Sequence, residues 1–241
     1  MRVAACQLPE VRDDIPGATA LICEFAARAE HSGVQLVCFP ECFLQGYFTD
    51  AESVERLAMD IESPEFAAWL RRVRTLRAVL VLGLIERSGN DFFNTAVAIR
   101  QGALVCRYRK IHLLEGEKSV FRAGPAPSVF AVDGVKVGLA ICYDLNFAAT
   151  IQANVRSGAR LLACPCNNML SRATAERLKH AHNAIRCERA KESGAWLLTA
   201  DVTGQRDDRI SYGPTALIRP DGRVADQVPL KQTGMIVRDL E

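Results

Sequence analysis

Short apolar runs of strand type alternate with amphipathic stretches of helical period along this chain. Residues 2–7 and 34–39 are predicted strands, and residues 18–31 carry apolar side chains at helical spacing before Gly33 stops the helix. Ser63-Pro64-Glu65 predicts the start of a second helix. The alternation recurs from residue 149 to residue 200. Since strands and helices that take turns pack as layers, this pattern predicts an α/β fold.

Tight turns add antiparallel pairs to this pattern. Residues 88–91, 101–102 and 133–134 carry glycine in the short turns typical of hairpins. No linker, repeat or low-complexity segment divides the chain, so we predict one domain over residues 1–241. Hairpins together with crossovers predict two mixed sheets with helices outside, a layered α/β sandwich.

The composition of the chain limits the classes of molecule that the protein is expected to bind and the compartment in which it is expected to work. The chain has 241 residues, of which 49% are hydrophobic and 24% charged, and can bury a large core. A net charge of +2 without a basic stripe argues against nucleic acid, and no apolar run reaches membrane length. Acidic residues come too early for a signal peptide, and nine cysteines suit free thiols in a reducing compartment. We therefore expect a cytoplasmic protein.

Cys142 ends the apolar run 135–141 and precedes Tyr143 and Asp144. Open α/β sheets place their chemistry where a strand turns toward a helix, although a single cysteine is more often a core residue. Glu41 and Lys110 also follow strand-like runs. Three reactive side chains at strand ends together favour a catalytic site.

Three motifs carry a resemblance to a known family. They are Phe39-Pro40-Glu41, the stretch 108–113 around Lys110, and Ile141-Cys142-Tyr143-Asp144. In this order they resemble the nitrilase superfamily of carbon–nitrogen hydrolases, and further similar stretches cover nearly the whole chain. The resemblance implies a four-layer α-β-β-α sandwich and protomers that pair through their helix layers.

The family's Glu, Lys, Cys triad implies a role for each side chain. Cys142 is the expected nucleophile, Glu41 the proton carrier, and Lys110 the ammonium that stabilises the oxyanion. The backbone N–H of Tyr143 is a second candidate oxyanion donor. The resemblance also favours Glu117 as the residue that positions the proton carrier.

Two neighbouring residues leave alternatives open. Glu115 stands two positions before Glu117 in a polar loop and could take its place. His112 could act as a base. It shares a strand face with Lys110, however, and we expect a structural hydrogen-bonding role for it.

The substrate pocket is the least constrained part of the site. We expect Tyr47, Asn146, Asn167 and Asn168 to line it. Asn146 stands where many members of the family carry arginine, and Ala149 stands where they carry glutamate. Because Asn146 replaces that arginine, recognition of a substrate carboxylate is in doubt. The asparagines indicate a polar pocket.

Metal and cofactor sites are not indicated. No glycine-rich nucleotide loop and no Gly-x-Ser-x-Gly elbow occurs. Cys164-x-Cys166 with His180-x-His182 could supply four zinc ligands. Because residues i and i+2 of a helix do not share a face, we do not expect zinc there.

Two classes of function remain. One is a cofactor-free amidase for a small aliphatic amide, with an N-carbamoyl amide hydrolase as its nearest enzymatic alternative. The other is a catalytically idle member of the fold kept for binding or assembly. We also expect a homodimer or larger oligomer, with the small apolar stretch 148–155 at its interface.

Overall fold

The computed structural model describes residues 1–241. The helices are α1 (Ile15–His31), α2 (Ala51–Leu57), α3 (Pro64–Val73), α4 (Ala148–Arg156), α5 (Arg172–Leu178) and α6 (His182–Ser193). The strands are β1 (Arg2–Pro9), β2 (Leu36–Cys38), β3 (Met59–Asp60), β4 (Val79–Ser88), β5 (Asp91–Arg100), β6 (Ala103–Arg109), β7 (Val129–Val132), β8 (Val135–Leu139), β9 (Leu161–Pro165), β10 (Leu170–Ser171), β11 (Trp196–Ala200), β12 (Val202–Arg206), β13 (Arg209–Ser211), β14 (Ala216–Ile218), β15 (Val224–Gln227) and β16 (Gly234–Asp239).

The strands form two mixed sheets. The first has the order β10-β13-β12-β1-β2-β4-β5-β6, with β16 also paired to β1 and β3 to β4. The second has the order β15-β14-β11-β9-β8-β7. Strand β16 runs antiparallel along β1, so both ends of the chain are built into the first sheet.

Three apolar clusters separate four layers. One joins the inner faces of the two sheets and contains Val81 and Leu139. Another lies between the first sheet and helices α1 and α3, where Phe25 and Trp69 are buried. The third lies between the second sheet and helices α4 and α6 and contains Ile151. The order helix, sheet, sheet, helix confirms the predicted α-β-β-α sandwich.

The directions of the strands bring several strand ends to one edge. Strands β2 and β4 are parallel, and β4 and β6 both pair antiparallel with β5. The carboxyl ends of β2, β4 and β6 therefore share an edge with the start of β5. In the second sheet β8, β9 and β11 are parallel, so their carboxyl ends also lie together.

Some boundaries differ from the predicted ones. Helix α1 begins at Ile15 rather than at residue 18, because the Asp14 carboxylate accepts a hydrogen bond from the Gly17 N–H at 2.9 Å and Pro16 fits the first turn. Helix α2, capped by Asp50, was not predicted. None of the six helices has the length and hydrophobicity needed to cross a lipid bilayer.

Candidate active site

The predicted catalytic side chains lie where the edges of the two sheets meet. Glu41 follows β2 and Lys110 follows β6 in the first sheet, whereas Cys142 follows β8 in the second. The backbone N–H of Glu41 donates to the carbonyl oxygen of Cys166, directly after β9, at 3.1 Å. This bond ties the turn that carries Glu41 to the second sheet.

A buried cluster of charges forms the base of the site. The Nζ atom of Lys110 donates to Oε1 of Glu41 at 2.8 Å and to Oε1 of Glu117 at 2.9 Å. All three residues are at most 1% exposed. Because an unpaired charge at this depth would be strongly destabilising, the two carboxylates and the ammonium depend on one another.

The structure separates Glu117 from Glu115. Glu117 is buried in the cluster, and its Oε2 accepts a hydrogen bond from the Leu114 N–H at 2.7 Å. Glu115 is exposed and pairs with Lys118 at the surface. Glu117 is therefore the acidic residue that faces Lys110.

Asn94 joins the cluster although no role was predicted for it. Its Nδ2 donates to Oε1 of Glu41 at 2.8 Å and to Oε1 of Glu117 at 2.9 Å. The backbone carbonyl oxygen of Asn94 accepts a hydrogen bond from the backbone N–H of Lys110 at 2.8 Å. Asn94 lies near the start of β5, at the edge where β2 and β6 end, and so fixes Glu41 and Lys110 relative to one another.

The cluster carries one more negative charge than positive charge. Burial lowers the pKa of Lys110, but the Glu41 and Glu117 carboxylates outweigh it and hold the pKa well above its usual range. Burial raises the pKa of Glu41, and Lys110 only partly offsets it. Lys110 therefore stays protonated, and Glu41 accepts a proton more readily than an exposed glutamate.

Cys142 occupies a sharp turn. It begins a 3₁₀ helix over Cys142–Asn146 and has a φ of 41°, in the left-handed region that side chains other than glycine seldom adopt. The neighbouring Cys166 thiol, burial and the Glu41 charge raise the pKa of the Cys142 thiol well above its usual range. A neutral thiol of this kind needs a base before it can act as a nucleophile.

Asp144 fixes this turn to the loop after β6. Its carboxylate accepts hydrogen bonds from the Tyr108 hydroxyl at 2.7 Å, the His112 N–H at 2.9 Å and the Ile141 N–H at 3.0 Å. The turn that carries Cys142 is thereby tied to the segment that carries Lys110. Asp144 was part of a recognised motif, but its sequence position gave no indication of these partners.

Cys142 opens onto a cavity of about 310 Å³. Its lining includes Tyr143 and three of the predicted pocket residues, Asn146, Asn167 and Asn168. Most of the remaining lining is apolar and includes Leu114 from the loop after Lys110, Leu178 from helix α5 and Ile185 from helix α6. The cavity can therefore hold a small molecule whose reactive carbon lies against the Cys142 sulfur.

Tyr47 lies apart from this lining. Its ring packs against the small apolar cluster that contains Phe48 and Phe121. Burial raises the pKa of its hydroxyl, and the charges of Lys110 and Glu41 act on the same group. The structure thus places Tyr47 beside the charged cluster rather than in the wall of the cavity.

His112 is engaged in structural contacts. Its Nε2 lies 2.7 Å from the Thr150 hydroxyl, and its ring stacks on Phe147 with centroids 3.6 Å apart. These contacts join the loop after β6 to helix α4.

The four residues considered for zinc do not converge. Cys164 and Cys166 are buried with their sulfurs 3.9 Å apart, and His182 lines the cavity while His180 is exposed. No group of three or more His, Cys, Asp or Glu side chains is arranged to hold a metal ion. The sulfur of Cys166 instead contacts the guanidinium of Arg186.

Comparison with known families identifies the family of the chain. A profile described as carbon-nitrogen hydrolase matches residues 2–241. The chain therefore belongs to the carbon–nitrogen hydrolase family, and the resemblance to the nitrilase superfamily is confirmed.

Several relatives bear names of enzymes that cleave carbon–nitrogen bonds. A nitrilase from Pyrococcus abyssi is 31% identical over 81% of this chain and 72% of its own length. A 2-oxoglutaramate amidase from Bacillus subtilis is 29% identical over 83% of this chain and 76% of its own length.

Solved structures of an amidase from a Nesterenkonia species share the fold. One has 26% sequence identity and a TM-score of 0.86, and covers 100% of this chain and 90% of its own. A mutant of that amidase, with 25% identity, carries the acetamide moiety of fluoroacetamide covalently on its active-site cysteine.

Proposed function

We propose that this protein hydrolyses a small aliphatic amide to a carboxylate and ammonia through a thioester on Cys142. The observation that carries the proposal is the buried Glu41, Lys110 and Glu117 cluster beside a cysteine that opens onto a cavity. Groups of the chain itself, together with one water molecule, would supply every step.

In the first half of the reaction, Cys142 attacks the amide carbon. Glu41 takes the thiol proton as the sulfur–carbon bond forms, and the carbonyl oxygen becomes an oxyanion. Lys110 has three N–H donors, of which two serve Glu41 and Glu117, so the third is left for the oxyanion. The Tyr143 N–H would be the second donor.

In the second half, the thioester forms as ammonia leaves, and water then cleaves it. Protonated Glu41 gives its proton to the departing nitrogen, and ammonia leaves as the carbon–nitrogen bond breaks. Glu41, again a carboxylate, takes a proton from water while the water oxygen attacks the thioester carbon. The carboxylic acid leaves, and the Cys142 thiolate recovers its proton from Glu41. Glu117 and Asn94 hold Lys110 and Glu41 in place throughout.

Ammonia release from a panel of compounds tests this proposal. The panel contains short aliphatic amides, ω-amides of dicarboxylic acids, N-carbamoyl compounds and nitriles, each with the wild-type protein and with Cys142→Ala. We expect ammonia and the matching carboxylate from amides with the wild-type protein alone. An acyl adduct on Cys142, seen by mass spectrometry, would identify the intermediate.

Other outcomes would replace the proposal with a different one. Hydrolysis confined to N-carbamoyl compounds would indicate a carbamoyl hydrolase, and hydrolysis confined to nitriles would indicate a nitrilase. A folded wild-type protein with no activity on any of the four classes would indicate a catalytically idle scaffold.

A further inference from the structure

The cavity beside Cys142 has a buried cation in its wall. Arg186 projects from helix α6, lines the cavity and is only 3% exposed. Burial lowers the pKa of the Arg186 guanidinium, but neighbouring groups that include the Asp201 carboxylate outweigh burial and leave the pKa raised, so the group stays charged. No sequence pattern had marked this residue.

The two terminal nitrogens of the Arg186 guanidinium, Nη1 and Nη2, differ in how well their hydrogen bonds are formed. Nη1 donates to the backbone carbonyl of Pro214 and lies 3.5 Å from Oδ1 of Asn183. Nη2 has only longer contacts, 3.4 Å to Oδ2 of Asp201 and 3.6 Å to the sulfur of Cys166. Charge-assisted hydrogen bonds are usually about 2.7–2.9 Å, and a thiol is a weak acceptor. Nη2 can therefore still form a short bond to a better acceptor.

The anion that accompanies Arg186 does not line the cavity. Asp201 is fully buried and does not belong to the cavity lining, and its oxygens accept hydrogen bonds from the backbone N–H and the side-chain amide of Asn168. Its charge offsets the desolvation of the guanidinium. A molecule inside the cavity meets the cation and not the carboxylate.

Nη2 also lies close to the nucleophile. Leu139 of β8 pairs with Ala163 of β9, and Cys142 and Cys166 each stand three residues further along. The two thiols therefore occupy matching places at neighbouring strand ends, where each affects the pKa of the other. A single thiol separates the cation from the reacting sulfur, so a short substrate can span the two.

We propose that Arg186 binds a substrate carboxylate, so that the substrates are ω-monoamides of short dicarboxylic acids. This inference rests on the proposed amidase function and names its substrate class. The position four residues after the nucleophile offers no cation, because Asn146 is uncharged and its amide donates to the Tyr143 carbonyl at 3.2 Å. Arg186 supplies the charge from a different helix. The apolar part of the wall then accommodates the methylene groups between amide and carboxylate.

Two amides of equal chain length test the inference with the wild-type protein. Glutaramic acid carries a carboxylate at the end where pentanamide carries a methyl group. We expect kcat/KM for glutaramic acid to exceed that for pentanamide by roughly ten- to a hundredfold, the usual effect of one charge-assisted hydrogen bond. Equal values, or a preference for pentanamide, would overturn the inference and leave the amidase function standing.

Variants then assign the preference to Arg186. In the double variant Arg186→Gln with Asp201→Asn, both charges are removed together, so no unpaired carboxylate is left buried. The ratio of the two kcat/KM values should fall toward one in this variant and partly in Arg186→Lys, which keeps the charge but not the planar fork. Lys191→Gln, an exposed charge on the same helix, should keep the ratio. A ratio unchanged in the double variant would overturn the inference.

Binding to Cys142→Ala separates recognition from catalysis. Calorimetry with this variant should show tighter binding of glutaramic acid than of pentanamide, and the difference should disappear when Arg186→Gln with Asp201→Asn is added. Tighter binding without wild-type hydrolysis of any amide would support the carboxylate site and refute the amidase function. Equal binding of the two amides would refute the carboxylate site.

Discussion

At the scale of single residues, the candidate catalytic groups depend on one another's charge. Cys142 carries a neutral thiol because the neighbouring Cys166 thiol, burial and the nearby Glu41 charge raise its pKa. Glu41 is a stronger base than an exposed glutamate because burial raises its pKa. In the proposed reaction, the Cys142 sulfur would therefore lose its proton to Glu41 as it attacks the substrate rather than beforehand.

Replacing the nucleophile gives the simplest prediction. Cys142→Ala should lower hydrolysis by at least about 10⁴-fold, because the covalent route is lost, while the thermal midpoint changes little. An α-haloacetamide should label Cys142 ahead of Cys23, Cys106 and Cys187, which are also partly exposed. Peptide mass spectrometry after brief labelling measures this order. Faster labelling of those three, with Cys142 unreactive, would refute the assignment.

The oxyanion donor gives a second prediction. Lys110→Arg should lower kcat by about 10²- to 10⁴-fold despite keeping the charge, because a planar fork cannot replace a compact ammonium held by Glu41 and Glu117. Lys118→Arg at the surface serves as the control and should keep wild-type turnover. Steady-state kinetics with thermal midpoints measures both. Near-normal turnover in Lys110→Arg would show that the proposed oxyanion geometry is wrong.

The pKa of Glu41 gives a third prediction. Glu41 must be a carboxylate to accept the Cys142 proton, so kcat/KM should fall as the pH drops through its raised pKa, above the ordinary value of about 4.3. Asn94→Asp adds a carboxylate beside Glu41 and should move this acidic limb to higher pH. Asn90→Asp, in an exposed turn, should not. An acidic limb at the ordinary value would contradict the role of Glu41 as base.

Single residues also show where prediction from the sequence ends. Glu41, Lys110 and Cys142 could be predicted as site residues mainly because their motifs resemble those of a known family, whereas a place at the end of a strand was weak evidence for each of them alone. Asn94 could not be predicted, since the sequence of a strand does not indicate which side chains from other segments lie beside it at the edge of the sheet. Arg186 lies on a helix rich in charged residues, a pattern typical of a solvated face. Only the packing of α6 against the second sheet shows that its side chain enters the cavity.

At the scale of elements, strand β4 supports the turn that carries Glu41. Gly83 lies against this turn: a Cβ at Gly83 would come within 2.7 Å of the Cα of Glu41 and closer still to the backbone nitrogen of Cys42. The Gly83 carbonyl accepts a hydrogen bond from the Leu44 N–H at 3.2 Å. Because backbone cannot give way as a flexible side chain can, the position requires glycine.

A methyl group on β4 should therefore impair both stability and catalysis. Gly83→Ala should lower the free energy of unfolding by about 1–3 kcal/mol and lower kcat as well, because Glu41 moves relative to Lys110. Gly116→Ala is the matched control, since a Cβ there meets nothing within 4 Å. Chemical denaturation and steady-state kinetics measure the two effects. Unchanged turnover in Gly83→Ala would show that the turn tolerates displacement.

Element boundaries were predictable where local chemistry was strong. The Ser63 cap and the following proline predicted α3 correctly, and the hairpin turns predicted the pairing of β4 with β5. Helix α2 and strands β12 to β16 escaped prediction. They are short and mix polar with apolar residues, so pairing with neighbouring strands and packing on the core decide their structure rather than local periodicity.

At the scale of the whole molecule, helix α4 presents two different faces. Ile151 and Val155 pack into the cluster under the second sheet, so these two side chains of the small apolar stretch serve the protomer's own core. Ala148, Ala149 and Ala153 remain at the surface and line a shallow groove of about 590 Å³. This outer face is available for a second copy of the chain, and we retain the homodimer as a proposal.

Dilution tests the assembly. If protomers pair through the outer face of α4, light scattering should show a dimer whose dissociation on dilution lowers activity, because α4 follows the turn that carries Cys142. Ala149→Glu should favour monomers through charge repulsion, whereas Glu192→Gln on α6 should not. A monomer with full activity at every concentration would refute the proposal.

The hydrogen bond between the Glu41 N–H and the Cys166 carbonyl crosses from one sheet to the other. The proposed proton carrier and the proposed nucleophile thus belong to separate halves of a sandwich, which interior side chains such as Val81 and Leu139 hold together. A change of volume among those side chains shifts the halves without altering any reacting group. The side chains between the two sheets are consequently constrained by turnover as well as by folding. Substitutions on the inner face of one sheet are expected to be compensated in volume by substitutions on the inner face of the other.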